Sequence, residues 1–251
     1  MPGEMQTKGP NGFFPGRSLP EEIGRAMNRL ARYGVAYPEG YYQDLVEKYT
    51  RRGIPYPHIL IILGIPRINH HAFYRSALAR PGRLLDYGCG TGDNVRQLLR
   101  DGFPREQISA FDIGRESVDL GFDLYRDRPA MEDLFVISEK FPFGNNGFEY
   151  TYSASVIHVI RNEREYRTYL ANAYSALRPG GVFFGSTLGL KEGAARSPGA
   201  RGPPRILTPE QLESDLTGAG FIRPEIKRRN GVPGYVPGSE ELCALEFCTR
   251  R

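Results

Sequence analysis

Residues 84–94 read LLDYGCGTGDN. An apolar run and an acid, Asp86, lead into glycines at alternate positions, Gly88, Gly90 and Gly92. Asp93 and Asn94 then open a helical pattern with apolar Val95, Leu98 and Leu99. The stretch predicts a buried strand, a turn stripped of side chains and a helix N-terminus. In open α/β sheets such a junction lies at the carboxyl ends of the strands, where ligands bind. Glycine lets a ligand approach the backbone. The helix start offers unpaired N–H groups to it.

The same rhythm continues toward the C-terminus. Strands are expected at QISAFDI (107–113), DLFVIS (133–138), FEYTYSA (148–154) and VFFGSTL (182–188). Helices are expected at RESVDLGFDLY (115–125), at 162–181 with Pro179, Gly180 and Gly181 as its stop, and at TPEQLESDLTGAGF (208–221). Alternating strands and helices predict a parallel sheet with helices on both faces. The last two strands, RPEIKRR (223–229) and ELCALEFCTR (241–250), have no helix between them and should pair antiparallel at one edge. Toward the N-terminus, helices are expected from Ser18 to Gly34, from Pro38 to Arg52 and from Asn69 to Ala79. Residues 1–17, rich in Gly and Pro, read as a flexible tail, and 191–205 as a long loop.

Composition narrows the function classes. A net charge of +4, from 33 basic and 29 acidic residues scattered along 251, gives no basic stripe for nucleic acid. The longest apolar run, ILIILGI (59–65), is too short to span a bilayer and reads as core or as a wall of an apolar pocket. Cys89, Cys243 and Cys248 form neither a C-x-x-C pair nor a disulfide framework, so no metal site is expected. A soluble, cytoplasmic protein with a small-molecule ligand is the expectation; the oligomeric state stays open.

Two ligand classes use a glycine turn of this kind. A dinucleotide site wants G-x-G-x-x-G. Here position 93 is an acid, where a pyrophosphate would sit. A ligand carrying an amine and a sulfonium tolerates acids better. Asp112, ending the second strand, is placed to accept hydrogen bonds from ribose hydroxyls.

LLDYGCGTG resembles the first motif of class I S-adenosylmethionine-dependent methyltransferases. The resemblance runs on through FDIGRES, EKFPFGNNGFEYTYSASVIHVI, LRPGGVFFGSTLG and LTPEQLESDLTGAGF. Within that family the last portion most resembles fungal natural-product enzymes. The family implies a Rossmann-like, seven-stranded, mostly parallel sheet with an antiparallel last strand. It implies a helical cap at 18–79 and a catalytic core at 80–251. S-adenosylmethionine would be the cofactor and S-adenosylhomocysteine the product.

By position, the resemblance gives Asp86 to the methionine amino group. It gives Gly88, Cys89, Gly90 and Gly92 to the methionine moiety, with the Cys89 side chain a small filler. Asp112 goes to the ribose and Ile113 to the adenine face. Ser138 and Glu139 go to the adenine edge, and Ser153 to the methionine and acceptor side. Two departures from the family stand out: Ile137 and Ser138 stand where an acid is common, and Glu149 replaces an Asp.

Methyl transfer needs alignment of the acceptor and exclusion of water, with a base only for some acceptors. His158, after the fourth strand, is a candidate base or acceptor contact, or a packed histidine. His71, in the expected helix with His70, and Tyr49, which the family suggests could close over the methionine end, are the other catalytic candidates; both also fit core packing. The acceptor is expected to be a secondary metabolite methylated at O, C or N. The alternatives are a protein side chain, or a pericyclase-like binding role without methyl transfer.

Overall fold

The computed structural model describes residues 18–56, 58–144, 147–160, 162–191, 205–229 and 242–251. The expected tail, most of the 191–205 loop and the turn between the last two strands lie outside the described residues.

Three helices come first: α1 (Leu19–Ala31), α2 (Tyr41–Arg52) and the short α3 (Ile59–Ile62). Glu21 reaches back to accept the Ser18 N–H at 2.6 Å, closing the first turn of α1. Their apolar stripes meet in one cluster, with Ile23, Leu30, Ile59, Leu60 and Leu63 fully buried. Leu120, Leu124 and Tyr125 of α6 (Arg115–Tyr125) belong to the same cluster, so the three helices cap the core from the α6 side. ILIILGI is therefore core. α4 (Tyr74–Ala79) leads into the sheet.

Seven strands, counted among the described residues, form one sheet. They are β1 (Leu84–Tyr87), β2 (Ile108–Asp112), β3 (Phe135–Ile137), β4 (Phe148–Ala154), β5 (Leu177–Leu190), β6 (Ile222–Arg229) and β7 (Leu242–Arg250). Their order is β3-β2-β1-β4-β5-β7-β6. β1 to β5 pair in parallel, and β7 lies antiparallel between β5 and β6. This is the expected Rossmann-like arrangement. The remaining helices are α5 (Asp93–Arg100), α7 (Arg128–Met131), α8 (Glu163–Ala176) and α9 (Pro209–Gly218).

One sheet face packs on α8 and α9 through Tyr169, Leu170, Phe183, Leu212, Phe221 and Phe247. The other packs Tyr152, Val182 and Phe184 against Tyr74, Val95, Leu98 and Val118. Sequence order runs outward from β1 to β3 and then crosses to β4, so the switch point falls between β1 and β4. That is the place where a doubly wound sheet opens a ligand crevice.

Two expected elements differ. The 162–181 helix ends at Ala176, and β5 begins at Leu177. Pro179 bars the residue before it from helical backbone and has no N–H to donate, so the chain turns extended before the glycines. The 69–79 helix is broken at His71, whose backbone is extended (φ −75°, ψ 134°). The Phe73 N–H donates to His71 Nδ1 at 3.1 Å, and that side-chain bond replaces a helical one.

Candidate active site

The site gathers at the carboxyl ends of β1, β2 and β4. Asp86 lies there with no solvent exposure, and neither carboxylate oxygen accepts a hydrogen bond from the described residues. Burial pushes its pKa up to about 8, and Asp112 and Asp93 push the same way. Asn94 and Arg67 lie near enough to temper the rise, though no described group meets the carboxylate in hydrogen-bond geometry. A buried acid without a partner is costly, and native structures keep such groups for ligands.

Asp112 is the opposite kind of acid. It accepts the Gly90 N–H and the Gly114 N–H, each at 2.7 Å, so it holds the glycine turn to the end of β2. Burial raises its pKa, and these backbone donors pull it back. Ile113, next in sequence, is 70% exposed, an apolar side chain left for something to cover.

The three glycines divide. All have positive φ, yet a Cβ on Gly88 would lie 2.3 Å from Val156 Cγ2, and one on Gly92 would lie 2.6 Å from the Phe135 ring. Of the three, only Gly90 has a Cβ position that meets nothing within 4 Å. So Gly88 and Gly92 are glycine because the protein packs there, and Gly90 is the position with room for a ligand. The Cys89 side chain is buried among Val95 and Ala110, and its N–H donates to Phe111 O at 3.0 Å. It packs the turn and has no side chain to offer the crevice.

Ser138 donates its N–H to Asp112 O at 3.2 Å, which sets the 138–140 turn beside the β2 end, with Glu139 exposed in it. Ser153 does not line the crevice as expected. It is 2% exposed and donates to Tyr87 O at 2.6 Å, tying β4 to the end of β1. Glu149 is likewise structural, accepting the Arg83 N–H at 2.6 Å and pairing with Arg178 at 3.2 Å.

Of the three catalytic candidates, the structure brings one to the site. His158 sits in the turn after β4, where its Nδ1 accepts the Leu188 N–H at 3.4 Å and lies 3.3 Å from Thr187 Oγ1. His71 is 6% exposed on the sheet face, edge-on to Phe184. Its Nε2 meets Phe247 O at 3.1 Å and its Nδ1 takes the Phe73 N–H, so both nitrogens are used by backbone. Burial holds it neutral, near a pKa of about 4. Tyr49 is 4% exposed and gives its hydroxyl to Asp123 at 2.5 Å, two turns along α6 from the β2 end. Both are packing residues.

Sequence reading missed the segments on either side of α3. Gly64 donates its N–H to Asp93 at 2.6 Å, and Arg67 and Ile68 donate theirs to Asn94 Oδ1 at 3.0 and 3.2 Å. Tyr125 also donates to Asp93, at 2.5 Å. The first residues of α5 thus clamp the cap over the glycine turn. Tyr56, 41% exposed, is the tyrosine whose charge environment is that of the site: Arg67, Asp112 and Asp93. The sequence signal was the polar start of α5, Asp93-Asn94, which reads as a cap but serves a distant segment.

Residues 84–181 match the family model for a methyltransferase domain. Among curated proteins, the methyltransferase adrK of Penicillium roqueforti is 41% identical over 143 residues, 53% of this chain and 51% of that one. The ubiquinone/menaquinone biosynthesis C-methyltransferase UbiE of Methylobacterium nodulans is 36% identical over 112 residues, 43% of each. The chain spans from a fifth to about half the length of the first curated relatives it matches. Among solved structures, the fold resembles the 1,6-didemethyltoxoflavin-N1-methyltransferase of Burkholderia thailandensis, with bound 1,6-didemethyltoxoflavin and S-adenosylhomocysteine. The TM-score is 0.53 at 22% identity, covering 95% of this chain and 92% of that one. No helix among the described residues is long and apolar enough to cross a membrane.

Proposed function

We propose that this chain carries a class I S-adenosylmethionine-dependent methyltransferase domain and that it transfers the cofactor's methyl group to a small secondary metabolite. The observation that carries the reading is Asp86, a buried carboxylate with both oxygens unpaired among the described residues. A ligand ammonium is the natural partner for it. Gly90 leaves room at the backbone, and exposed Ile113 offers a flat apolar contact to a base. Asp112 keeps lone pairs for ribose hydroxyls beyond those given to the turn. Three acids around the turn suit a ligand with an ammonium and a sulfonium better than one with a pyrophosphate.

The sulfonium supplies an already activated methyl carbon. The chain's residues then have only to hold the acceptor in line and keep water out. Tyr56 is the aromatic group in the cap segment over the site, and a tyrosine face stabilises a cation. Asp93 and Asn94 keep that segment in place. A small-molecule acceptor is supported by the relative UbiE, whose name gives it a C-methyltransferase role in ubiquinone/menaquinone biosynthesis.

Calorimetric titration with S-adenosylmethionine and S-adenosylhomocysteine tests this. Binding of both with Kd of about 1–100 μM is expected. A folded sample that binds neither overturns the reading. Binding of both, with no methyl transferred to any member of a metabolite panel, favours a cofactor-retaining role instead.

A further inference from the structure

Arg96 is the fourth residue of α5 (Asp93–Arg100), and its side chain is 6% exposed. A cation in the first turn of a helix runs against the helix dipole. A buried guanidinium must also find acceptors for its N–H groups. Both costs are offset within the fold. Nε and Nη2 donate to the two carboxylate oxygens of Asp127, each at 2.7 Å, as a planar fork on a carboxylate. Nη1 donates to the Thr91 carbonyl, also at 2.7 Å. The guanidinium carbon lies 3.9 Å from the centre of the Tyr125 ring, with the Phe122 and Phe135 rings at 5.7 and 5.8 Å.

Thr91 stands in the glycine turn, between Gly90 and Gly92. α6 meets it there backbone to backbone: a Cβ on Gly121 would lie 2.2 Å from Thr91 O. A Cβ on Gly92 would lie 2.7 Å from Arg96 Nη1. Fixing the Thr91 carbonyl fixes the peptide plane that it shares with Gly92. The earlier limb of the turn is tied to β2. The Gly88 and Cys89 N–H groups donate to Phe111 O at 2.8 and 3.0 Å, and the Gly90 N–H donates to Asp112. β2 thus holds one limb and Arg96 the other. The turn needs holding, because its glycines take φ of 79°, 55° and 75° and glycine loses more freedom on ordering than any other residue. A ligand that had to order the turn itself would bind more weakly for it.

We infer that Arg96, aimed by Asp127, is a positioning residue for the cofactor: it holds the glycine turn in its binding shape before the ligand arrives. The inference rests on the reading of that turn as the cofactor's seat. All three guanidinium nitrogens are taken by the protein, so Arg96 acts through the turn and not on the ligand. Lysine cannot stand in for it. A single ammonium has no planar fork to span Asp127 and Thr91 at once.

Calorimetric titration of R96K and D127N with S-adenosylhomocysteine, each well below its melting transition, tests this. R96K should bind at least about tenfold more weakly and D127N at least about fivefold, each still with one site per chain. An ion pair that served stability alone would lower the share of chains able to bind and leave Kd unchanged. R128Q cuts another arginine pair on α6, with Asp119 at 2.6 Å, away from the turn, and should stay within about twofold of wild type. The double variant R96K/D127N should match R96K within about twofold, because the two residues act as one unit. In the ligand-free protein, amide hydrogen exchange over residues 84–92 should be faster in R96K than in wild type, and the gap should close at saturating ligand. R96K binding within about threefold of wild type overturns the proposal. So does unchanged exchange of that segment, or additive losses in the double variant. If R96K does not fold, D127N, whose exchanged side chain is 26% exposed, decides by the same threefold limit. Wild-type protein that binds no S-adenosylhomocysteine sinks the transferase reading and this proposal with it. Wild-type binding with unaltered affinity in R96K sinks this proposal alone.

Discussion

The seam between α2 and α6 and the carboxyl end of β1 both take an acid out of water, and they treat it in opposite ways. At the seam, Asp123 accepts from Lys48 and from the Tyr49 hydroxyl, each at 2.5 Å. Tyr41 and Tyr37 add hydrogen bonds to the backbone oxygens of Asp123 and Leu124, at 2.7 and 2.6 Å. Each of these donors meets an acceptor. At the end of β1, Asp86 has less exposure and no hydrogen bond to its carboxylate from the described residues. Polar groups that are satisfied within the chain hold structure. A buried one left unsatisfied marks where a ligand completes it. The difference explains why Tyr49 belongs to the scaffold, although its residue type and position in sequence suit a cofactor lid.

The sharpest way to break this contrast is Asp86→Asn. Loss of the charge partner should weaken S-adenosylhomocysteine binding by at least about a hundredfold, about 2.7 kcal/mol. The same change should stabilise the ligand-free protein. The Asp86 pKa is raised on folding, so its contribution to stability is present below its unfolded value, near 3.8, and is lost as pH rises toward about 8. Asparagine has no such loss. The stability gain of the variant, followed by thermal melting, should therefore grow from acid to pH 8, to the order of 1–3 kcal/mol. A variant that binds within threefold of wild type, or melts lower at every pH, removes the ligand role.

Proton linkage gives the next effect. An ammonium against Asp86 favours the ionised form, so cofactor affinity should rise by about tenfold between about pH 6 and 8 and then level. Calorimetry in buffers of different ionisation enthalpy should show proton release on binding near pH 7, absent from D86N. A flat profile would mean that the carboxylate is already ionised without ligand. Asp112→Ala follows, with at least a tenfold loss of affinity, about 1.4 kcal/mol, since the proposed ribose contact and the two turn contacts go together. Unchanged affinity would end the ribose assignment.

The sheet and most of its order were legible because each strand-turn-helix unit states itself locally. The glycine turn, Asp112 and the edge pairing of the last two strands could be read from spacing, and the resemblance to a known family pointed to Asp86. What escaped depended on contacts remote in sequence. His71 lies in a helical pattern, but Phe247, 176 positions on, supplies the carbonyl that fixes its ring. Ser153 sits at the expected strand end, yet Tyr87 takes its hydroxyl inward. Tyr56 stands in a proline-flanked loop without period, so nothing local marks it as lying within the charge environment of Arg67, Asp112 and Asp93. The helix before β5 ends short of its glycines because Pro179 excludes helical backbone ahead of them.

Asp123→Asn is the smallest predicted change in binding and the strictest test of the contrast. It removes the charge facing Lys48 and weakens the acceptor of Tyr49, at a site where the Asp123 side chain is 17% exposed. Loss of those bonds should lower stability by about 1–2 kcal/mol. The cap, however, is fastened to the core at a second place. Asp93 and Asn94 hold Gly64, Arg67 and Ile68 through backbone N–H groups that the substitution leaves alone. Leu120 and Leu124 of α6 remain buried against the helices of the cap. The segment over the glycine turn should therefore keep its position, and S-adenosylhomocysteine affinity should fall by less than about threefold once measured well below the melting transition. A loss beyond tenfold would show that the seam sets the geometry of the crevice, so that the satisfied acid and the orphaned one are coupled parts of a single device.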